Sequence, residues 1–278
     1  MNRKISLLVI ATLGLSMVSG CSEKAEETHV YDKLTTDAGT FESYLEDTTT
    51  TTTSETTSAE EFEKGIPVKY YDVLDSIRDY VVKFDPDTVG SYIGKSESSG
   101  IAEMCQFEGT LDQIGFAFPD IDSDGVGELV VLALEENNPP RVLEMYTYQD
   151  GEAQHLFSGW ARNRYYISKD LKIYNEGSSG AFSSVEVQYG MEDRNICFVD
   201  AYYTLDAESV NQEGDADGLL LCYTKDEGSI GSEDINSDPV EVKKDFKKFD
   251  GLFSYYDIKE SDLLDYGSIT KLSAYAKD

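Results

Sequence analysis

Short runs of β-branched and aromatic residues, each broken by Gly, Asp or Asn, recur from GFAF at Gly115 to GLLLCYT ending at Thr224. Runs this short, at this spacing, fit half-buried strands and not helices. ELVVLAL follows GFAF across an acidic loop. RVLEMYTY and EAQHLFS are joined by Gln149, Asp150 and Gly151, the chemistry of a hairpin turn. RYYIS and LKIYN meet around Lys169 and Asp170, and AFSSVEVQYG, NICFVDAYYTL and GLLLCYT continue the series. Consecutive strands with short connections predict an antiparallel meander. No period of the length a repeat array needs is present, so a full propeller is not expected.

Two flanks complete an α+β expectation. IPVKYYDVLDSIRDYVVKFDPD places Tyr70, Val73, Ile77 and Tyr80 or Val81 on one face at helical spacing, and Pro86 ends the pattern. This predicts an N-terminal amphipathic helix. VEVKKDFKKFD and ESDLLDYGS predict one or two short C-terminal helices. About 210 residues, 66–278, carry this globular pattern and suffice for one domain with its own core.

Residues 21–65 read differently. Thr48 to Thr53 form an unbroken threonine run flanked by acids, with few large apolar residues. Such a segment cannot bury enough surface to offset chain entropy and is expected to be a disordered, self-repelling stalk. Ahead of it, Arg3 and Lys4 precede an apolar stretch from Ile5 to Val18, then Ser19, Gly20 and Cys21. Basic, apolar and small elements in this order are the layout of a secretory signal over residues 1–20, and the apolar part is too short for a comfortable membrane span. The ending VSGC resembles the lipobox of bacterial lipoproteins. That resemblance implies cleavage before Cys21, lipidation of its sulfur and a domain tethered to the cell membrane on the extracellular side. Two or more acyl chains hold a protein stably where one is marginal.

The chain has 54 Asp plus Glu against 23 Lys plus Arg, a formal net charge of −31. Phosphate backbones would be repelled, which argues against nucleic acid as a partner. Cys105, Cys197 and Cys222 remain after Cys21, with no metal-type spacing, and an odd number leaves at least one thiol outside any intrachain pair. They read mainly as small buried hydrophobes.

The motif with most chemistry is PDIDSDGVGELVV. Asp120, Asp122 and Asp124 alternate, Gly125 follows where the chain must turn sharply, and Glu128 closes the loop. Hard divalent cations want several oxygen ligands around one centre, and carboxylates crowded without a cation repel. The start matches an EF-hand, but Val131 stands where that motif places its closing glutamate. DxDxDGxxE between strands resembles the EF-hand-like calcium loops of integrin-type propeller repeats, whose ninth residue is a carboxylate ligand. The resemblance implies Ca2+ bound by Asp120, Asp122, Asp124, the Val126 carbonyl and Glu128. EGDADG and DINSDP imitate the pattern, but Leu221 and Pro239 stand at key positions, so both read as solvated turns.

No catalytic motif is selected. His29 and His155 are the only histidines, and no GxSxG, HExxH or phosphate loop occurs. GWARNRYY gathers the single Trp and two Arg, so Trp160, Arg162, Arg164 and Tyr165 form a candidate binding rim beside the small-residue loop NEGSSGAFSS. A core Trp with ion-paired neighbours accounts for the same residues. The expectation is a lipid-anchored surface protein with a calcium-stabilised domain that binds an extracellular glycan or surface protein. The alternative is a tethered hydrolase acting on polysaccharide through paired carboxylates.

Overall fold

The computed structural model describes residues 62–63, 66–85, 99–107, 109–178, 184–215, 217–236, 238–244 and 246–275. The expected signal segment, Cys21 and the expected stalk up to residue 61 lie outside the described residues. Phe62–Glu63 (β1) and Ile66–Pro67 (β2) pair as a two-residue ribbon.

Helix α1 spans Tyr71–Val82. Its buried face carries Leu74 and Ile77, with Tyr70 just ahead of it, spaced by four and three residues as one helix face requires. Val73, expected on this face, is only partly buried because the stripe runs one residue to its side. Two shorter helices follow, α2 at Ser99–Met104 and α3 at Thr110–Gln113.

The strands are β3 Ile114–Ala117, β4 Leu129–Ala133, β5 Arg141–Gln149, β6 Glu152–Ser158, β7 Asn163–Ile167, β8 Ile173–Ser178, β9 Ser184–Glu192, β10 Asn195–Asp206, β11 Leu219–Thr224, β12 Val240–Val242 and β13 Thr270–Lys271. They form one 11-stranded sheet in the order β12-β11-β10-β9-β8-β7-β5-β4-β3-β13, with β6 also paired to β5. Neighbouring strands in it pair antiparallel throughout the described residues. The meander expected from the sequence is therefore the fold. Asp150 and Gly151 both adopt positive φ, 54° and 88°, as do Asp193 and Arg194 at 49° and 65°. Two central residues with positive φ match the twist of flanking strands in a two-residue hairpin.

Apolar groups pack on both faces of this sheet. Val130, Leu132, Val142, Met145, Val187, Ala201 and Tyr203 share the largest cluster. Leu129, Val131, Ala133 and Leu143 face the other way, against Tyr70, Leu74 and Ile77 of the helical layer. Strand β4 is thus covered on both faces, which explains why it reads as an unbroken apolar run.

Of the two C-terminal segments expected to be helical, ESDLLDYGS opens with a 3-10 turn at Glu260–Asp262, whereas VEVKKDFKKFD departs from the expectation. VEVKKDFKKFD starts as edge strand β12, where Val242 pairs with Cys222 and Val240 with Thr224. Alternating valines beside an open strand edge favour the ladder over a helix. Among the described residues after β12, the helical content is two short 3-10 turns, Glu260–Asp262 and Leu272–Ala274. Phe253 and Leu263 pack on Tyr166 and Tyr174 of the sheet. Glu186 fastens this segment, because its two carboxylate oxygens accept the N–H groups of Ser254 and Tyr255, each at 2.8 Å. Cys105, Cys197 and Cys222 are free thiols; Cys222 is buried as expected, whereas Cys197 is exposed near the tip of the β9–β10 hairpin.

Burial pushes the Glu186 carboxyl from 4.5 up to about 7, with its two backbone donors only partly offsetting that cost. A folded-state pKa above the unfolded one means stability is fullest below about pH 4.5 and falls as pH rises through about 7. Urea unfolding between those limits should show wild type losing up to roughly 3 kcal/mol relative to Glu186→Gln. Parallel pH profiles for the two proteins would contradict this assignment.

Candidate metal centre

The acidic loop joins β3 to β4, the strand buried on both faces. Two glycines shape it. Gly125 has φ of 87°, a conformation that side chains disfavour. Gly127 passes so close to Phe118 that a Cβ there would lie 2.7 Å from the Phe118 carbonyl oxygen. The Tyr70 hydroxyl donates to the Gly127 carbonyl at 2.9 Å, and its ring stacks on Phe118 at 5.8 Å. The helical layer thereby holds the loop from beneath.

Within the loop, carboxylates accept the turn's own N–H groups. Gly125 N–H donates to Asp120 Oδ2 at 3.0 Å, Asp124 N–H to Asp122 Oδ1 at 3.2 Å, and Val126 N–H to Asp124 Oδ1 at 2.7 Å. These bonds turn the three side chains inward. Asp120, Asp122 and Asp124 each offer an oxygen, and the three oxygens lie within 4.8 Å of one another. This cluster can hold a metal ion. Among the described residues Asp120 Oδ1 is buried and accepts no hydrogen bond, an arrangement that costs free energy unless a cation or donor meets it.

Glu128 sits differently from the position expected of it. It is fully buried beneath the loop, with Oε2 accepting the Ile121 N–H at 2.8 Å and Oε1 accepting the Thr147 hydroxyl at 3.3 Å. It is not one of the converging group, which comprises the three aspartates. Burial pushes its carboxyl from 4.5 up to about 7, and the charges of Asp122, Asp124 and Asp120 push the same way. Val126 lies on the loop with its N–H committed to Asp124.

The sequence reading missed Arg194. It stands in the β9–β10 turn, yet its backbone N–H donates to Asp122 Oδ2 at 2.8 Å and its Nε to Asp124 Oδ2 at 2.6 Å. Its Nη1 donates to the Tyr148 carbonyl at 2.9 Å. The bond to Asp124 holds the guanidinium still more firmly protonated. One cationic side chain therefore offsets part of the loop's charge and ties the hairpin tip to it. No local signal could reveal this, since 70 residues separate Arg194 from Asp124.

The candidate rim divides. Neighbours on a strand point to opposite faces. Tyr165 is consequently a core residue, 7% exposed and stacked on Phe157 at 4.2 Å, and it leaves the rim. Arg164 turns outward and pairs with Glu176 across the strands at 2.7 Å. Trp160 is half-buried in a tight turn closed by two backbone bonds with Asn163, and Arg162 is exposed. Residues 179–183 of the neighbouring small-residue loop lie outside the described residues.

The structure also gathers Ser158, His155 and Glu144. Ser158 Oγ donates to Glu144 Oε2 at 2.5 Å, and His155 Nε2 lies 2.9 Å from the same oxygen and 3.1 Å from Ser158 Oγ. A nucleophile relay needs the hydroxyl on one ring nitrogen and the carboxylate on the other. Here both meet Nε2, and Ser158 and Glu144 are buried, so the cluster is built as a core hydrogen-bond network. In EGDADG, Asp215 Oδ1 is occupied by the N–H groups of Asp217 and Leu219, as in a self-capped turn.

No family model matches this chain, no curated protein matches it, and no solved structure matches it. Oxygen donors converge on a point in the acidic loop, with no nucleophile or histidine among them, which suits holding a hard cation. In metal-free buffer, Arg194→Ala should lower stability by about 1 kcal/mol, the value of a partly exposed ion pair with its hydrogen bonds. Thermal melting with chelator present checks this; an unchanged melting temperature would show that the contact carries no weight.

Proposed function

We propose that the chain is a cell-surface lipoprotein, anchored through Cys21, whose β-rich domain is braced by Ca2+ and serves to bind or scaffold an extracellular glycan or surface protein. The observation that carries the calcium part is the convergence of Asp120, Asp122 and Asp124 with the orphaned Asp120 Oδ1 among them. Calcium is preferred over magnesium because it accepts many oxygens in irregular geometry, whereas magnesium demands a near-ideal octahedron. In this reading the three aspartates and the Val126 carbonyl are the ligands. Glu128 is the fourth carboxylate, closing the loop from beneath, since a bound dication favours its ionised form. Asp124 exchanges its Arg194 partner for the ion.

The role assigned to the ion is structural. The loop lies between the helical layer and β4, and it is touched by the β9–β10 hairpin, so neutralising it steadies three parts of the fold together. The anchor part rests on the basic, apolar and small-residue order ahead of Cys21 and on the VSGC sequence. The binding role rests on the combination of tether and domain.

A ligand that binds only the folded state stabilises it in proportion to the logarithm of its concentration, giving about 3 kcal/mol at roughly a hundredfold excess over Kd. Calcium should therefore raise the melting temperature of the wild type by several degrees and leave Asp122→Ala unmoved. Identical melting of the wild type in calcium and in chelator would remove the calcium reading.

The anchor has a separate test. In the native host, Cys21→Ser should move the protein from the membrane fraction to the medium. Retention of that variant with the membrane would end the lipoprotein reading.

A further inference from the structure

A second feature lies far along the chain from the acidic loop. Residues 243–248 read KKDFKK, which puts four lysines into six residues of a chain whose acids outnumber its bases 54 to 23. Phe249 follows and is 39% exposed. The segment is fastened to the sheet. Lys243 N–H donates to the Leu221 carbonyl at 2.8 Å, extending the β12 ladder, and Phe249 N–H donates to the Ser254 carbonyl at 2.9 Å. Between these points Phe246 packs on Tyr202 at 5.4 Å and Tyr255 at 5.8 Å, and meets Phe249 at 6.1 Å.

The lysines differ in occupation. Lys243 pairs with Glu241 at 2.6 Å and lies over the Tyr223 ring at 4.7 Å. Lys244, Lys247 and Lys248 are exposed, and none forms an ion pair among the described residues. Lys248 contacts the Tyr255 ring at 5.8 Å. Three ammonium groups and one phenyl ring therefore stand at the surface on an aromatic base.

We propose that Lys244, Lys247, Lys248 and Phe249 form a docking site for a linear anionic glycan, a sugar or polyol chain bearing carboxylate or phosphate groups. The three lysines attract an anion locally even though the net charge of the chain repels phosphate polymers at long range, and an exposed aromatic beside cations suits the C–H faces of sugar units. The surroundings select a linear partner over a flat one. Glu241 beside Lys243, Asp215 within electrostatic reach of Lys248 and Asp250 next in the chain to Phe249 are all exposed, and the chain as a whole is strongly negative. A planar anionic membrane would press many charges against those acids at once, whereas a single polymer strand meets fewer of them. The inference names a ligand class for the binding role proposed above, but it depends on neither the ion nor the anchor.

The test uses the full-length chain carrying Cys21→Ser, so that no acyl chain contributes, in chelator, so that no metal does. The probes are polygalacturonate for carboxylate, poly(glycerol phosphate) for phosphate, neutral dextran, polyglutamate, and vesicles of phosphatidylglycerol with phosphatidylcholine. Binding of one or both anionic polyols is expected, weakening about tenfold between roughly 50 and 200 mM salt as a few counterions are released. The triple variant Lys244→Gln, Lys247→Gln, Lys248→Gln should lose at least about tenfold, and the matching triple Arg variant should keep its affinity. Phe249→Ala should weaken the polyol polymers several-fold. Unchanged melting temperatures establish that these surface variants fold. Failure to bind either anionic polyol overturns the proposal, as does equal binding by the triple Gln variant. Capture by vesicles with the polymers ignored overturns it in favour of a membrane. Polyglutamate held as tightly as the polyols, with no loss in Phe249→Ala, overturns it in favour of an acidic protein.

Discussion

The burial of β4 on both faces is the constraint on which most of this structure depends. Five consecutive apolar residues, Leu129 to Ala133, cannot be half solvated, so the sheet must be covered by helices on one side and packed strands on the other. That requirement fixes where α1 lies and leaves Tyr70 able to reach the loop that feeds β4. The acidic loop is consequently attached to a rigid part of the molecule. Its carboxylates are positioned by a strand that cannot slip without exposing its apolar face.

Electrostatics act against this arrangement and explain its local chemistry. Three aspartates and a buried glutamate share one loop, and burial together with their mutual repulsion pushes the Glu128 carboxyl up to about 7. Arg194 relieves part of the load from the neighbouring hairpin. A divalent cation would relieve it more fully, because one ion can meet several oxygens at once. The same reasoning separates this loop from EGDADG, where the Asp215 carboxylate is already occupied by its own turn.

Much of the fold was legible locally. Each run of Val, Ile, Tyr and Phe became a strand, Asp150–Gly151 made the expected hairpin, and Tyr70 and Ile77 marked the buried side of α1. Side-chain period and turn chemistry act over a few residues, so sequence carries them directly. VEVKKDFKKFD has lysines at a spacing a helix tolerates, but its valines met the open edge of β11, and a free ladder edge is invisible along one chain.

The sequence by itself determined the strand series, the helix at Tyr71–Val82 and the alternation that turns Asp120, Asp122 and Asp124 toward one point. Only the tertiary structure decided that Glu128 lies beneath the loop with Ile121 and Thr147 as partners, and that Tyr165 belongs to the core while Arg164 faces outward. It alone brought Arg194 to Asp124 and Glu186 to the backbone of Ser254 and Tyr255. The physical reason is the same in each case. Local conformation follows from neighbouring residues, whereas the partner of a charge or a buried donor is chosen by packing between segments that the chain holds many residues apart.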